Sequence, residues 1–110
     1  MWIRSAFWVG KARPGMEAAF ADGINTVIIP GLRDLPGVID AEALWPRRLE
    51  DSSPGIACQI IVRFASAEAI DAMLASPERA AIRAKVQAVL AAFEGAFSHI
   101  DFEIGEPGAP

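Results

Sequence analysis

The spacing of apolar residues alternates along this chain between a period of two and a period between three and four, and the order of those stretches constrains the fold more than any motif. Residues 2–9, WIRSAFWV, alternate as a strand. Ile3, Phe7 and Val9 share one side with Ser5, while Trp2, Arg4, Ala6 and Trp8 share the other. KARPG follows as a turn, with Pro14 suited to a first helical position. From Met16 the steps lengthen to three and four through Phe20, Ile24, Val27, Ile28, Leu32 and Leu35, one stripe of a helix. Pro30-Gly31 interrupts this stripe without shifting its phase, so the expectation is a long helix kinked or briefly broken at Pro30 and ending before Pro36-Gly37.

Alternation returns in residues 38–45, VIDAEALW, and again in 56–64, IACQIIVRF, with a polar loop, PRRLEDSSPG, between them. Ser66 is placed to cap a short helix through Ile70, Met73 and Leu74. In Ser76-Pro77-Glu78-Arg79, a good N-cap precedes a favoured first residue and an acid that complements the positive helix end. That segment therefore starts a second helix, with Ile82, Val86, Val89, Leu90 and Phe93 on its stripe and its charges expected in solvent. A last strand, AFSHIDFEI, follows Gly95, and GEPGAP is too rich in Gly and Pro to pack. The order β-α-β-β-α-β defines an α+β, ferredoxin-like domain over residues 1–104, with a four-stranded antiparallel sheet, helices on one face, and a tail at 105–110.

Composition narrows the functional classes. A chain of 110 residues is one ordinary domain, yet 53% of it is hydrophobic, so some apolar surface is expected to face a partner chain. The net charge of −4 and the ten scattered Lys and Arg argue against nucleic acid and against an anionic membrane. No apolar run approaches the roughly 20 residues of a membrane span, and a cytoplasmic location is the expectation. Cys58 stands alone, and one Cys with one His does not make a zinc site. With no phosphate-binding Gly-rich loop, no metal and no cofactor are expected.

GLRDLPGVIDAEALW, where a helix runs through Pro-Gly into a strand, and IIVRFASAEAIDAMLASPERAAI, where a strand ends in Phe-Ala-Ser before an Ala-rich helix and a Ser-Pro-Glu start, resemble the dimeric α/β-barrel superfamily. Stress-responsive A/B-barrel, EthD-like and antibiotic-biosynthesis-monooxygenase-like proteins look like this. The resemblance implies a homodimer formed by packing two sheets face to face, with a pocket between sheet and helices or within the barrel. In the stress-responsive group His often follows the Pro-Glu pair; here Arg79 occupies that position, so no histidine role carries over.

If Ile3, Phe7 and Val9, with Cys58, Ile60 and Val62 and with Ile100, Phe102 and Ile104, face the helices, the other sheet face carries the chemistry. Arg4 and Trp8 of the first strand would join Asp40 and Glu42 of the second, Gln59, Ile61 and Arg63 of the third, and His99, Asp101 and Glu103 of the last. Arg4 would then neighbour Arg63 on one side and an acid on the other. His99 is the candidate general base, since its unperturbed pKa lies near neutrality; it serves equally as a hydrogen-bonded residue at a dimer edge. Arg4, Trp8, Gln59, Ile61, Arg63 and Asp101 are the candidate substrate contacts. The carboxylate pairs Asp101/Glu103 and Asp40/Glu42 suit acid–base work or a cation, or simply answer the arginines. Trp2, Trp8 and Trp45 suit stacking on a planar ligand or packing, and Cys58 has no local activating neighbour. Met16, Phe20, Ile24, Ile82, Val86 and Phe93 are core candidates that would wall a pocket lying between helices and sheet. The expected function is binding of a small aromatic or polyketide-like metabolite; the alternative is a cofactor-independent monooxygenase, cyclase or lyase using His99.

Overall fold

Residues 56–64, the most apolar of the alternating stretches, form strand β3 (Ile56–Phe64) in the interior of the sheet. The computed structural model describes residues 1–105, and residues 106–110, most of the expected tail, lie outside the described part. Around β3 the sheet is built from β1 (Trp2–Ala12), β2 (Asp40–Leu44) and β4 (Phe93–Glu103) in the order β2-β3-β1-β4, antiparallel throughout. Helices α3 (Ala67–Leu74) and α4 (Pro77–Leu90) follow β3, and a helical run from Glu17 to Arg33 joins β1 to β2. This is the expected ferredoxin-like α+β fold. Among the described residues no helix is long and apolar enough to cross a membrane.

Local chemistry accounts for the helix starts. The Ser66 hydroxyl accepts from the Ala69 N–H at 3.1 Å, and the Ser76 hydroxyl accepts from the Arg79 N–H at 3.3 Å. Each satisfies a backbone donor that the helix itself cannot. The first helical run continues through Pro30 without a break. It comprises α1 (Glu17–Asp22), a π-helical turn over Gly23–Ile28, and α2 (Ile29–Arg33). Proline lacks an N–H and crowds the carbonyl four residues back. The wider turn just before it, with the Ile29 N–H bonded to the Ile24 carbonyl, absorbs that demand and keeps the run continuous. Gly31 lies against α4 so closely that an added Cβ would stand 2.3 Å from Ile82 Cδ1.

Register settles which way the strands face, because opposed residues share a sheet face. Arg4, Ala6 and Trp8 oppose Val62, Ile60 and Cys58, and on the other side Asp101, His99 and Phe97. Ala6, Trp8, Cys58, Ile60 and Val62 are all buried beneath the helices. The inward assignment of β3 therefore holds, while those of β1 and β4 are reversed: Ile3, Phe7, Val9, Ile100 and Phe102 lie on the open face. At the helix-covered face Trp8 anchors an aromatic cluster, with ring centroids 5.4 Å from Phe20, 5.3 Å from Phe93 and 4.5 Å from Phe97. Each such contact adds about 0.5–1.5 kcal/mol beyond area burial.

Candidate functional site

Reversing β1 and β4 moves the chemistry from the open face to the space under the helices. A cavity of about 270 Å³ lies there between sheet and helices. Its floor is Arg4, Ala6 and Trp8 of β1, Ile60 and Val62 of β3, and Phe97 and His99 of β4. Ile28, Leu32 and Leu35 close one side, Met73 and Leu74 of α3 another. Helix α4 supplies Ile82, Val86 and Leu90, and on the shoulder of the same stripe Arg79, Arg83 and Gln87. The lining is thus mostly apolar with a few convergent polar groups, as small-molecule sites are.

The sequence-predicted residues divide between two surfaces. Arg4, Trp8 and His99 line the cavity, and Asp101 joins them through an ion pair with Arg4, Nη1 to Oδ1 at 2.9 Å. Gln59, Ile61 and Arg63 lie on the open face, opposite Phe7, Ser5 and Ile3, so they do not form one site with Arg4 and His99. There Gln59 Nε2 donates to the Ser5 hydroxyl at 3.3 Å, and Arg63 opposes Asp40 of β2. Arg63 is accordingly no neighbour of Arg4. The reason is parity: residues 62 and 63 point to opposite faces, and Arg4 is paired with 62. Asp40 accepts from the Ala41 N–H at 2.8 Å and lies 3.5 Å from Arg33 Nε. Among the described residues no group of three or more His, Cys, Asp or Glu is placed to hold a metal ion.

Three features of the cavity bear on its chemistry. Trp8 is fully buried, and its indole Nε1–H, a donor, has no hydrogen-bond partner. A buried donor left unpaired costs roughly 1–3 kcal/mol. His99 is exposed as a residue, but its ring stands over the cavity, 4.8 Å from the Phe97 ring and edge-on to it. Partial burial and the positive charges of Arg4 and Arg79 lower its pKa from 6.5 to about 4, against the opposing pull of Asp101. At neutral pH the imidazole is therefore uncharged. Finally, of the charges at the α4 start, Glu78 is exposed as expected, while Arg79 is half-buried and lines the cavity.

Of the six helix and strand residues expected as walls, Ile82 and Val86 line the cavity. Phe20, Ile24 and Phe93 are buried core, and Met16 is exposed. Sequence reasoning missed Arg79, Arg83 and Gln87. Their signal was present: they recur every four residues, one helical step beside Ile82, Val86 and Leu90. Cys58 is buried and burial pushes its thiol up to about 12, which leaves it unreactive. Trp45 packs edge-on against Phe20 at 6.0 Å, in the core and away from the cavity lining.

No family model matches the chain, and no curated protein matches it in sequence. Solved structures do match. An EthD family protein from Bacillus halodurans superposes with a TM-score of 0.73 at 13% identity, over 96% of this chain and 99% of that one. A protein described as an antibiotic biosynthesis monooxygenase, from Deinococcus radiodurans, gives 0.63 at 15% identity, over 100% and 98%. A dimeric ferredoxin-like protein of unknown function from Jannaschia sp. gives 0.68 at 14% identity, over 94% and 100%. At such identities the likeness is one of fold: this chain has the ferredoxin-like fold of the EthD-like and antibiotic-biosynthesis-monooxygenase-like proteins.

Proposed function

We infer that the chain binds a small, planar, largely apolar metabolite in the cavity between helices and sheet. The observation that carries this reading is the cavity itself, about 270 Å³ lined mostly by apolar side chains, on which Arg4, Arg79, Arg83 and His99 converge. The apolar body of such a ligand would replace solvent against Ile60, Val62 and Phe97. A volume near the lower end of the usual range, roughly 300–1,000 Å³, suits one or two rings. The protein would act as a homodimer through its open sheet face, where Val9, Ile100 and Phe102 are 41%, 49% and 43% exposed. The dimeric ferredoxin-like neighbour supports that assembly. A cytoplasmic setting and the absence of a nucleic-acid partner belong to the same reading, supported by the lone thiol and the acidic charge balance.

A second reading follows from His99. An uncharged imidazole at the cavity wall is available to take a proton from an acidic C–H or O–H of a bound ligand. That is the step with which a cofactor-independent oxygenation, cyclisation or lyase reaction would begin. With its pKa near 4, His99 is a weak base, so this reading requires the ligand to strengthen it. Binding is therefore the function proposed first.

Native mass spectrometry of the freshly purified protein tests the binding reading. The expected result is a dimer carrying a small adduct on each chain, with the adduct lost and the dimer retained in Ala6→Leu, whose longer side chain enters the cavity. An adduct that persists in Ala6→Leu would place the ligand elsewhere.

A further inference from the structure

The cavity is apolar inside but its charge is one-sided. Arg4, Arg79 and Arg83 all line it, and the one carboxylate that answers them is Asp101, bonded to Arg4 at 2.9 Å. Three guanidinium groups against one carboxylate leave two positive charges uncompensated. Among the described residues neither Arg79 nor Arg83 forms an ion pair.

Arg79 stands in the first turn of α4, where the helix dipole presents its positive end and disfavours a cation. Glu78, the acid that suits this position, is exposed, while Arg79 is half-buried. Neither helix electrostatics nor a protein partner accounts for a guanidinium there. Arg79 is partly covered where it lines the cavity, and among the described residues no carboxylate pairs with its guanidinium. Arg83, one turn on, lies on the same shoulder of the helix, so the two forks can close on one group from the same side. Across the mouth stands His99, which carries no charge at neutral pH and adds an acceptor or donor but no further cation.

We propose that the cavity selects an anion: a small planar apolar body bearing a single carboxylate, which Arg79 and Arg83 hold at the mouth while the body lies against Trp8 and Phe97. This rests on the binding reading above and adds the charge of the ligand to it. The carboxylate satisfies the two forks; the ring system fills the apolar interior. A carboxylate beside His99 also offsets Arg4 and Arg79, so the bound anion raises the affinity of that imidazole for a proton.

The test compares 2-naphthoate with 2-naphthamide, which keeps the shape, replaces one acceptor oxygen by a donor NH2 and lacks the charge. Binding is followed by tryptophan fluorescence and by the NMR titration of His99, the single histidine. The wild-type protein is expected to bind 2-naphthoate at least about tenfold more tightly than 2-naphthamide, the preference of a charge-assisted fork for a carboxylate. In Arg79→Gln/Arg83→Gln the preference is expected to vanish with amide affinity retained, and 2-naphthoate is expected to move the His99 midpoint upward only in the wild type. Equal affinity for the two probes in the wild-type protein would overturn the anion proposal and leave the pocket reading standing. An equal loss of both probes in a double variant whose far-ultraviolet spectrum is unchanged would overturn it too, because the arginines would then act as packing. Binding of neither probe would remove the pocket reading and the proposal together.

Discussion

Arg4 and Asp101 sit directly opposite each other on β1 and β4, and their side chains meet at 2.9 Å beside the cavity. The Arg4 side chain is 17% exposed and that of Asp101 36%, so the pair is only partly screened by water. It pairs one guanidinium of the cavity, while among the described residues the other two form no ion pair.

Removing one member should cost more than an exposed pair would. Asp101→Asn is expected to lower the unfolding free energy by about 1 kcal/mol, and Arg4→Gln by a similar amount. The double variant should lose less than the sum of the two, which chemical denaturation of all four proteins would measure. Strict additivity would mean that the pair contributes no coupling.

The same pair tunes His99 in opposite directions. Burial and Arg4 lower its pKa towards 4, and Asp101 raises it. Arg4→Gln should therefore move the NMR midpoint up towards 6.5, and Asp101→Asn should move it further down. Because the folded pKa lies below the unfolded one, the unfolded chain takes up the proton first as pH falls between 6.5 and about 4. Acid should erode stability across that window, and the erosion should be smaller in His99→Gln. A His99 that titrates near 6.5 in the wild-type protein would contradict this account.

Element order was legible because each element carries its own local signal. Ser66 and Ser76 announce helix starts through side chains that reach only three residues ahead, and both caps form as expected. Face assignment is non-local. In β1 either parity can be argued as inward, since Ile3, Phe7 and Val9 are as apolar as Ala6 and Trp8, and Arg4 looks like a surface residue until Asp101 is known to oppose it. Both sheet faces are apolar, so hydrophobicity cannot choose between them, and the register that decides lies in residues 56–64 and 93–103. Candidate site residues inherit this. The Arg4–His99–Asp101 side of the proposed site survives a reversal of both strands together, whereas Gln59, Ile61 and Arg63 do not follow. Arg79 was hidden by its own helix-start motif, which explains Ser76, Pro77 and Glu78 well and invites the same solvated reading for the residue after them.

Gly10 and Gly95 oppose each other across β1 and β4 with φ of +141° and +148°. A Cβ on Gly10 would stand 2.2 Å from the Glu94 carbonyl oxygen, and one on Gly95 would stand 2.1 Å from that of Val9. Both obstacles are backbone, which cannot rotate away. Gly10→Ala is expected to cost at least about 1–3 kcal/mol from conformation alone, seen as a clear fall in the thermal midpoint. A midpoint unchanged by Gly10→Ala would mean that the two strands can part there without loss.

The open sheet face gives the last expectation. Ile3, Phe7, Val9, Ile100 and Phe102 form an apolar surface around Ser5 on the sheet face away from the helices. In a lone chain Ile100 and Phe102 remain 49% and 43% exposed, an arrangement that favours association. Ile100→Asp places a carboxylate on that surface, where the pairing of two sheets would have to bury it. Sedimentation velocity is expected to show a dimer for the wild-type protein and a monomer for Ile100→Asp, with the cavity on the other side of the sheet untouched. Naphthoate binding therefore serves as the control for folding: a monomer that still binds assigns the open face to assembly and the helix-covered face to the ligand. A variant that stays dimeric would assign assembly to another surface.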